Sequence, residues 1–423
     1  MAPIPSAAPP QPAPIPSGAH LLTLAEAEQL ALKNNPQISV ARLNAFASKQ
    51  VAREVRSALW PSSAGYLTAV EPHDGSRISA GGLNNPVIFE RAAGGALFSQ
   101  LITDFGRTTN LASSASLRAQ AEDQNALATK EQVLLTVDQA FYSALQAQAV
   151  LQVAQQTVTS RGTVRDQIEA LFKSNLKSEL DASFARVNLA QAQLLLLDAQ
   201  NNTSAALANL SAVLGYPTLQ NFVLTDPTEP MTAPPGEVEP LIAQAFSQRP
   251  EIQALDLQYQ SAQKFRTAER DLVLPNVRAL GAVGGAPVRD DRLSQWYGAV
   301  GVNVEVPIFN GFLYSARAQE ANLRAQAVHN QLLDLRNRVS RDVRTSWLNA
   351  TSAYQRMNVS RQLLDQANLA LSLAQTRYNL GLASIVELSQ AELQQTQALI
   401  GNTQAGYDYR LALATLKFQT TGL

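Results

Sequence analysis

The chain has 423 residues, a formal net charge of −1 and no cysteine. That length suggests two or three domains. The near-zero charge, with no run of Lys and Arg interleaved with aromatics, excludes an electrostatic nucleic-acid binder, and the lack of thiols excludes a disulfide framework or a thiolate zinc site. Residues 1–21, beginning MAPIPSAAPPQPAPIPSGAH, are rich in Pro, Ala and Ser and predict a disordered leader. They have neither a charged n-region nor an apolar h-region, so the signal of a secreted protein would already have been removed. No stretch of about 18 apolar residues follows, which leaves no transmembrane helix.

Thr23 with Glu26 three residues on reads as a capping box. It opens a predicted helix of about 35 residues that runs to Trp60, where Pro61 stops it. GYLTAV (65–70) and GGALFSQLIT (94–103), separated by a Gly/Asn-rich loop, alternate with period 2 and predict strands over about 65–73 and 94–103. About ten residues is the length of a tilted membrane-spanning strand, although a soluble hairpin has the same pattern. After DFGR, with Gly106 at the junction, the period changes. Val137, Ala140, Ala144, Ala147, Leu151, Ala154 and Val158 recur at alternating intervals of three and four, a coiled-coil seam of mostly small residues. The helix from about Thr108 to Phe172 would be roughly 100 Å long at 1.5 Å per residue, too long for a compact globule. With 180–213 it forms a predicted helical hairpin over 108–213.

The chain then repeats itself. NPQISVARLNAFASKQVAREVRSALWPS (35–62) matches RPEIQALDLQYQSAQKFRTAERDLVLPN (249–276), with Pro36 on Pro250 and Pro61 on Pro275. Further on, Phe172 falls on Tyr378, Ser178 on Ser384 and Asp181 on Glu387. The first repeat covers 22–214, a Pro-rich linker 215–237, and the second repeat 238–423. The second repeat reads as a helix from about Val238 to Leu274, stopped by Pro275, then strands over about 277–286 and 297–306. FNGF follows, with Gly311 at its junction, and then a hairpin over 313–416. The seam recurs as Val343, Ser346, Ala350, Ala353, Met357, Ser360 and Leu364. At the hairpin tips, Asn175 and Gly381 are the residue types that enter the left-handed region most easily, and Ser178 and Ser384 are placed to cap the returning helices.

Two repeats of helix, strand, strand, long helix, tip and helix resemble the TolC-like outer membrane efflux protein family. The motifs are LALKNNPQI, SALWPS and LVLPN, LITDFGR and VPIFNGF, and the tips FKSNLKSELD and RYNLGLASIVEL. The resemblance implies a mainly α fold with a membrane β-barrel: an internally duplicated protomer of long coiled-coil helical hairpins plus four strands. Three protomers would form a 12-stranded barrel in the outer membrane and an α-helical tunnel through the periplasm, with the linker 215–237 in an equatorial region. An open sheet edge cannot sit in lipid, and three copies of four strands can close a barrel. Loops 71–93 and 287–296 would face outside. Trp60, Tyr66, Phe98, Phe105, Trp296, Tyr297, Phe309 and Phe312 would lie near strand ends as interfacial aromatics.

The resemblance further implies a passive outer membrane duct of a tripartite efflux or type I secretion system. Its partners would be two further copies of itself, a periplasmic adaptor, an inner-membrane transporter and outer membrane lipid, with no nucleic acid and no cofactor. It implies an aperture gate at Glu387, Tyr378 and Asp181. Gln390 stands where the family has a second acidic residue, and Ala383 where it has an arginine. The adaptor would dock on Asn175, Leu176, Leu380, Gly381, Leu382 and Ala383. The alternative is a periplasmic adaptor or coiled-coil scaffold. An enzyme is disfavoured: His20, His73 and His329 are the only histidines, and HExxH, GxSxG and Walker motifs are missing.

Overall fold

A computed structural model describes residues 20–73, 75–76, 88–220, 222–226 and 231–421. The elements are β1 (His20–Leu22), α1 (Leu24–Asn34), α2 (Pro36–Ser57), β2 (Ser62–Val70), β3 (Arg91–Thr103), α3 (Arg107–Lys173), α4 (Glu179–Val213), β4 (Phe222–Leu224), α5 (Glu239–Gln248), α6 (Pro250–Arg270), β5 (Asn276–Arg289), β6 (Trp296–Glu305), α7 (Leu313–Asn379) and α8 (Ile385–Thr421). They form two compact units, each drawing on both sequence repeats. One comprises residues 1–41, 127–249 and 337–423, the other 42–126 and 250–336.

The long opening helix of each repeat is in fact two. α1 ends at Asn34 and α5 at Gln248, each followed by an extended residue, Asn35 with ψ 121° and Arg249 with ψ 125°. The cause is the pair of prolines that marks the duplication. Pro36 and Pro250 lack an N–H and push the preceding residue out of the helical region. Asn35 turns the break to use, accepting from the Gln37 amide at 2.9 Å and donating to the Val213 carbonyl at 3.1 Å. Thr23 and Glu26 form the capping box at the start of α1.

Two further differences concern short strands. β1 lies at the end of the expected leader and pairs in parallel with β4, which lies inside the expected linker. Three-residue strands leave no periodicity to read. Residues 1–19, most of the leader, lie outside the described residues, as do 74 and 77–87 of the first outer loop.

The unit of residues 42–126 and 250–336 carries a four-stranded antiparallel sheet in the order β2-β3-β5-β6. The two hairpins, one from each repeat, meet at β3 and β5, and β2 and β6 are the edges. Cross-strand partners share a face, so the register divides the sheet into two. One face carries Leu67, Phe98, Val283, Trp296, Val300, Val302 and Val304. The other carries the polar side chains Ser62, Tyr66, Ser99, Arg278, Tyr297, Asn303 and Glu305, with Leu97 and Leu280 among them. One row on the polar face runs Tyr66, Gly95, Gly284, Tyr297. The Tyr297 ring lies across both glycines. A Cβ at Gly95 would also meet the Val283 carbonyl at 2.7 Å, and one at Gly284 the Gly94 carbonyl at 2.6 Å. At the junctions Pro61 and Pro275 immediately precede β2 and β5. At the return to helix, Phe105 and Gly106 are both left-handed (φ 57° and 101°), as are Gly311 and Phe312 (φ 62° and 66°). Asp104 and Asn310 then accept from the amides of Thr108 and Tyr314, capping α3 and α7.

α3 and α7 are each 67 residues long. All fourteen seam residues read from the sequence are buried or half-buried. In the other unit, Ala27 and Ala31 of α1, Val137 and Phe141 of α3, Leu210 of α4, and Leu22, Phe222 and Leu224 of the short sheet form one core. Asp138 of α3 also lies within this unit and is 3% exposed. Its Oδ1 has no hydrogen-bond partner among the described residues. Burial, then the facing Glu28 carboxyl of α1, push its pKa up to about 7 against the opposing pull of Lys417 of α8.

Candidate functional site

The tips of the two helical hairpins are built to one plan. At the first, the Asn175 amide donates to Phe172 O at 2.9 Å and the Leu176 amide to Leu171 O at 2.9 Å. At the second, the Gly381 amide donates to Tyr378 O at 3.1 Å and the Leu382 amide to Arg377 O at 2.8 Å. Each is the paired C-terminal cap that needs a left-handed residue, and Asn175 and Gly381 supply it with φ 56° and 75°. Ser178 and Ser384 cap the returning helices by accepting from the amides of Asp181 and Glu387. The chain accepts a glycine within its longest apparent helix because the helix ends there.

Below the tips, Ile168, Ala182, Ala185, Tyr378, Ile385 and Leu388 form a core shared by both hairpins. The Tyr378 side chain spans it, and its hydroxyl donates to Asp181 Oδ1 at 3.3 Å. Asp181 Oδ2 accepts from the Ser178 amide at 3.0 Å and hydroxyl at 2.6 Å. Burial pushes the Asp181 pKa up, but Ser178, Lys177 and Tyr378 outweigh it and hold the carboxyl below its usual value. Burial, reinforced by the Asp181 charge, pushes the Tyr378 hydroxyl up to about 12, so it stays protonated and donates. The structure thus brings together Tyr378 and Asp181 from different hairpins.

Glu387 behaves differently from its counterpart Asp181. Its carboxylate turns to Arg377 of its own hairpin, 3.1 Å from Nε, with both side chains about half exposed. Gln390 is exposed on the same helix and lines a groove with Val386, Leu393, Phe184 and Val187. Leu176, Leu380 and Leu382 are 70%, 66% and 68% exposed, so the tips present apolar surface to solvent. Ala383 beside them is half-buried.

Deeper in the bundle lies a polar cluster not singled out from the sequence. Arg161 of α3 and Glu392 of α8 form an ion pair whose side chains are 9% and 6% exposed. Thr396 accepts from Arg161 at 3.2 Å, and Asn188 of α4 donates to Glu392 at 3.3 Å and to Ser389 at 2.9 Å. The cluster joins three helices and both hairpins. Its only sequence signal is a Glu at 392 on a stripe of small and apolar residues, which one sequence does not distinguish from a solvated charge. Arg377 was missed because its counterpart in the first repeat is Leu171, so the duplication gives no hint of it.

The family described as outer membrane efflux protein matches residues 27–216 and 241–421. Outer membrane protein TolC of Vibrio cholerae is 23% identical over 411 residues, covering 93% of this chain and 89% of its own. Alkaline protease secretion protein AprF of Pseudomonas aeruginosa is 23% identical over 320 residues, covering 71% of this chain and 64% of its own. Among solved structures, the Campylobacter jejuni CmeC outer membrane channel aligns with a TM-score of 0.82 at 16% identity, covering 94% of this chain and 85% of that one.

Proposed function

Because this chain belongs to the outer membrane efflux protein family, we propose that it supplies one third of a trimeric duct. The duct conducts solutes passively from periplasm to exterior of a Gram-negative cell, as the outermost part of a tripartite efflux or secretion assembly. The observation that carries this reading is the sheet. Four strands of nine to fourteen residues set a valine-rich face against a mixed one that carries the polar side chains, and among the described residues β2 and β6 each have a single neighbour. In lipid every backbone polar group needs a partner. Two further copies would pair β2 with β6 around a closed ring, with the valine-rich face toward lipid and the face of Tyr66, Tyr297 and Arg278 toward the lumen.

In this reading the tips are the gate. The Tyr378–Asp181 hydrogen bond ties the two hairpins in the closed state, and docking of a periplasmic adaptor, coupled to an inner-membrane transporter, releases it. Exposed Leu176, Leu380 and Leu382, flanking Asn175, Gly381 and Ala383, are the docking surface. Glu387 and Gln390 line the aperture, with Arg377 offsetting part of the Glu387 charge. No enzymatic step is involved.

The test is electrical. Purified protein in planar bilayers is expected to form channels. Tyr378→Phe, which keeps the ring and removes the donor, is expected to raise single-channel conductance severalfold toward an open level. Unchanged conductance in Tyr378→Phe would remove this contact from the gate.

A further inference from the structure

We propose that Lys177 is a second half of the clamp on Tyr378, acting on the face of the ring while Asp181 acts on its hydroxyl. This rests on the reading of the tips as a gate. Lys177 stands in an exposed turn: residues 174–176 and 178–180 are all exposed, yet Lys177 is half-buried. A lysine in a loop normally extends its charged head into water. Here it folds back over the other hairpin, and its Nζ lies 3.7 Å from the centroid of the Tyr378 ring. That is well inside the range in which the negative face of an aromatic ring attracts a cation. Tyr378 is only 5% exposed with the ammonium lying over its ring.

The duplication shows that the clamp is specific to one side. At a shift of 206, Lys177 falls on Ala383, Tyr378 on Phe172 and Asp181 on Glu387. The second tip therefore lacks the cation, the first lacks the hydroxyl, and Glu387 is engaged by Arg377 instead. Each protomer holds one clamp, with two charges from the first hairpin gripping one tyrosine of the second. Because one contact is to the hydroxyl and the other to the ring face, losing either leaves the other in place.

Conductance of the full-length protein in planar bilayers separates these contributions. Lys177→Met keeps most of the side-chain bulk without the charge and is expected to raise time-averaged conductance about threefold, with Lys177→Gln similar and Lys177→Arg restoring the parent level. The increase should persist when Lys177→Met is combined with Tyr378→Phe, since the ring remains. If Tyr378→Phe raises conductance while Lys177→Met and Lys177→Gln do not, the gate reading stands and the role of Lys177 is refuted. An effect of Lys177→Met that vanishes in the Tyr378→Phe background overturns the ring contact. If none of the variants changes conductance, the gate reading falls as well.

Discussion

Replacing Arg161 with methionine is expected to destabilise the helical bundle by about 3–5 kcal/mol, because the change strands Glu392 as a buried, unpaired charge. Glu392 is 4% exposed and has Arg161 as its sole ion-pair partner among the described residues. Burial pushes its pKa up, and Arg161, with help from Asn188, resists that push. The single variant should therefore either take up a proton at Glu392 or lose packing around it. Removing both charges is a different matter. An apolar pair of similar volume costs no desolvation and is often neutral or stabilising. The double variant Arg161→Met, Glu392→Leu should recover most of the loss in thermal unfolding followed by circular dichroism. Equal losses in the single and double variants would show that the pair matters for shape and not for charge.

The second large effect is a pH dependence. The Asp138 carboxyl is pushed up to about 7 in the folded protein, from an ordinary value of 3.8. Its folded state thus keeps a proton that the unfolded state gives up. Below about pH 4 both states are protonated and the contribution is fully present. Between about pH 4 and pH 7 the unfolded state binds fewer protons, so stability falls as pH rises, and above that it levels off. The total is roughly 4 kcal/mol, at about 1.4 kcal/mol for each tenfold change in proton affinity. Two carboxyls facing one another in a buried site cannot both ionise cheaply, and Glu28 is the facing group. Asp138→Asn keeps the shape and removes the titration, so its stability should be flat over that window relative to the parent. A parallel fall in both proteins would assign the pH dependence elsewhere.

Much of the architecture is legible in the sequence because it rests on long-range regularities. A seam of small residues at alternating intervals of three and four over many turns fits a packed helix and little else, and α3 and α7 carry it. Asn175 and Gly381 are legible because duplication places two left-handed residue types at one position, and both tips use them. Local geometry at Pro36 and Pro250 is less legible. Their matched spacing speaks for duplication, but the same prolines break the predicted helices. β1 and β4 were not legible because three residues carry no period and their pairing crosses about two hundred positions. Arg161 with Glu392, and Lys177 with Tyr378, are long-range pairs as well. Arg161, Glu392 and Lys177 each look alone like an ordinary surface charge, and only the folded hairpins bring them to their partners.

The claim on which the rest depends is that one chain is an incomplete wall. The particle mass of the purified protein in detergent, corrected for bound detergent, tests it most directly. Three chains per particle is the predicted result, because in the proposed duct β2 and β6 pair with strands of other copies to close the barrel. A stable particle of one chain would contradict the account.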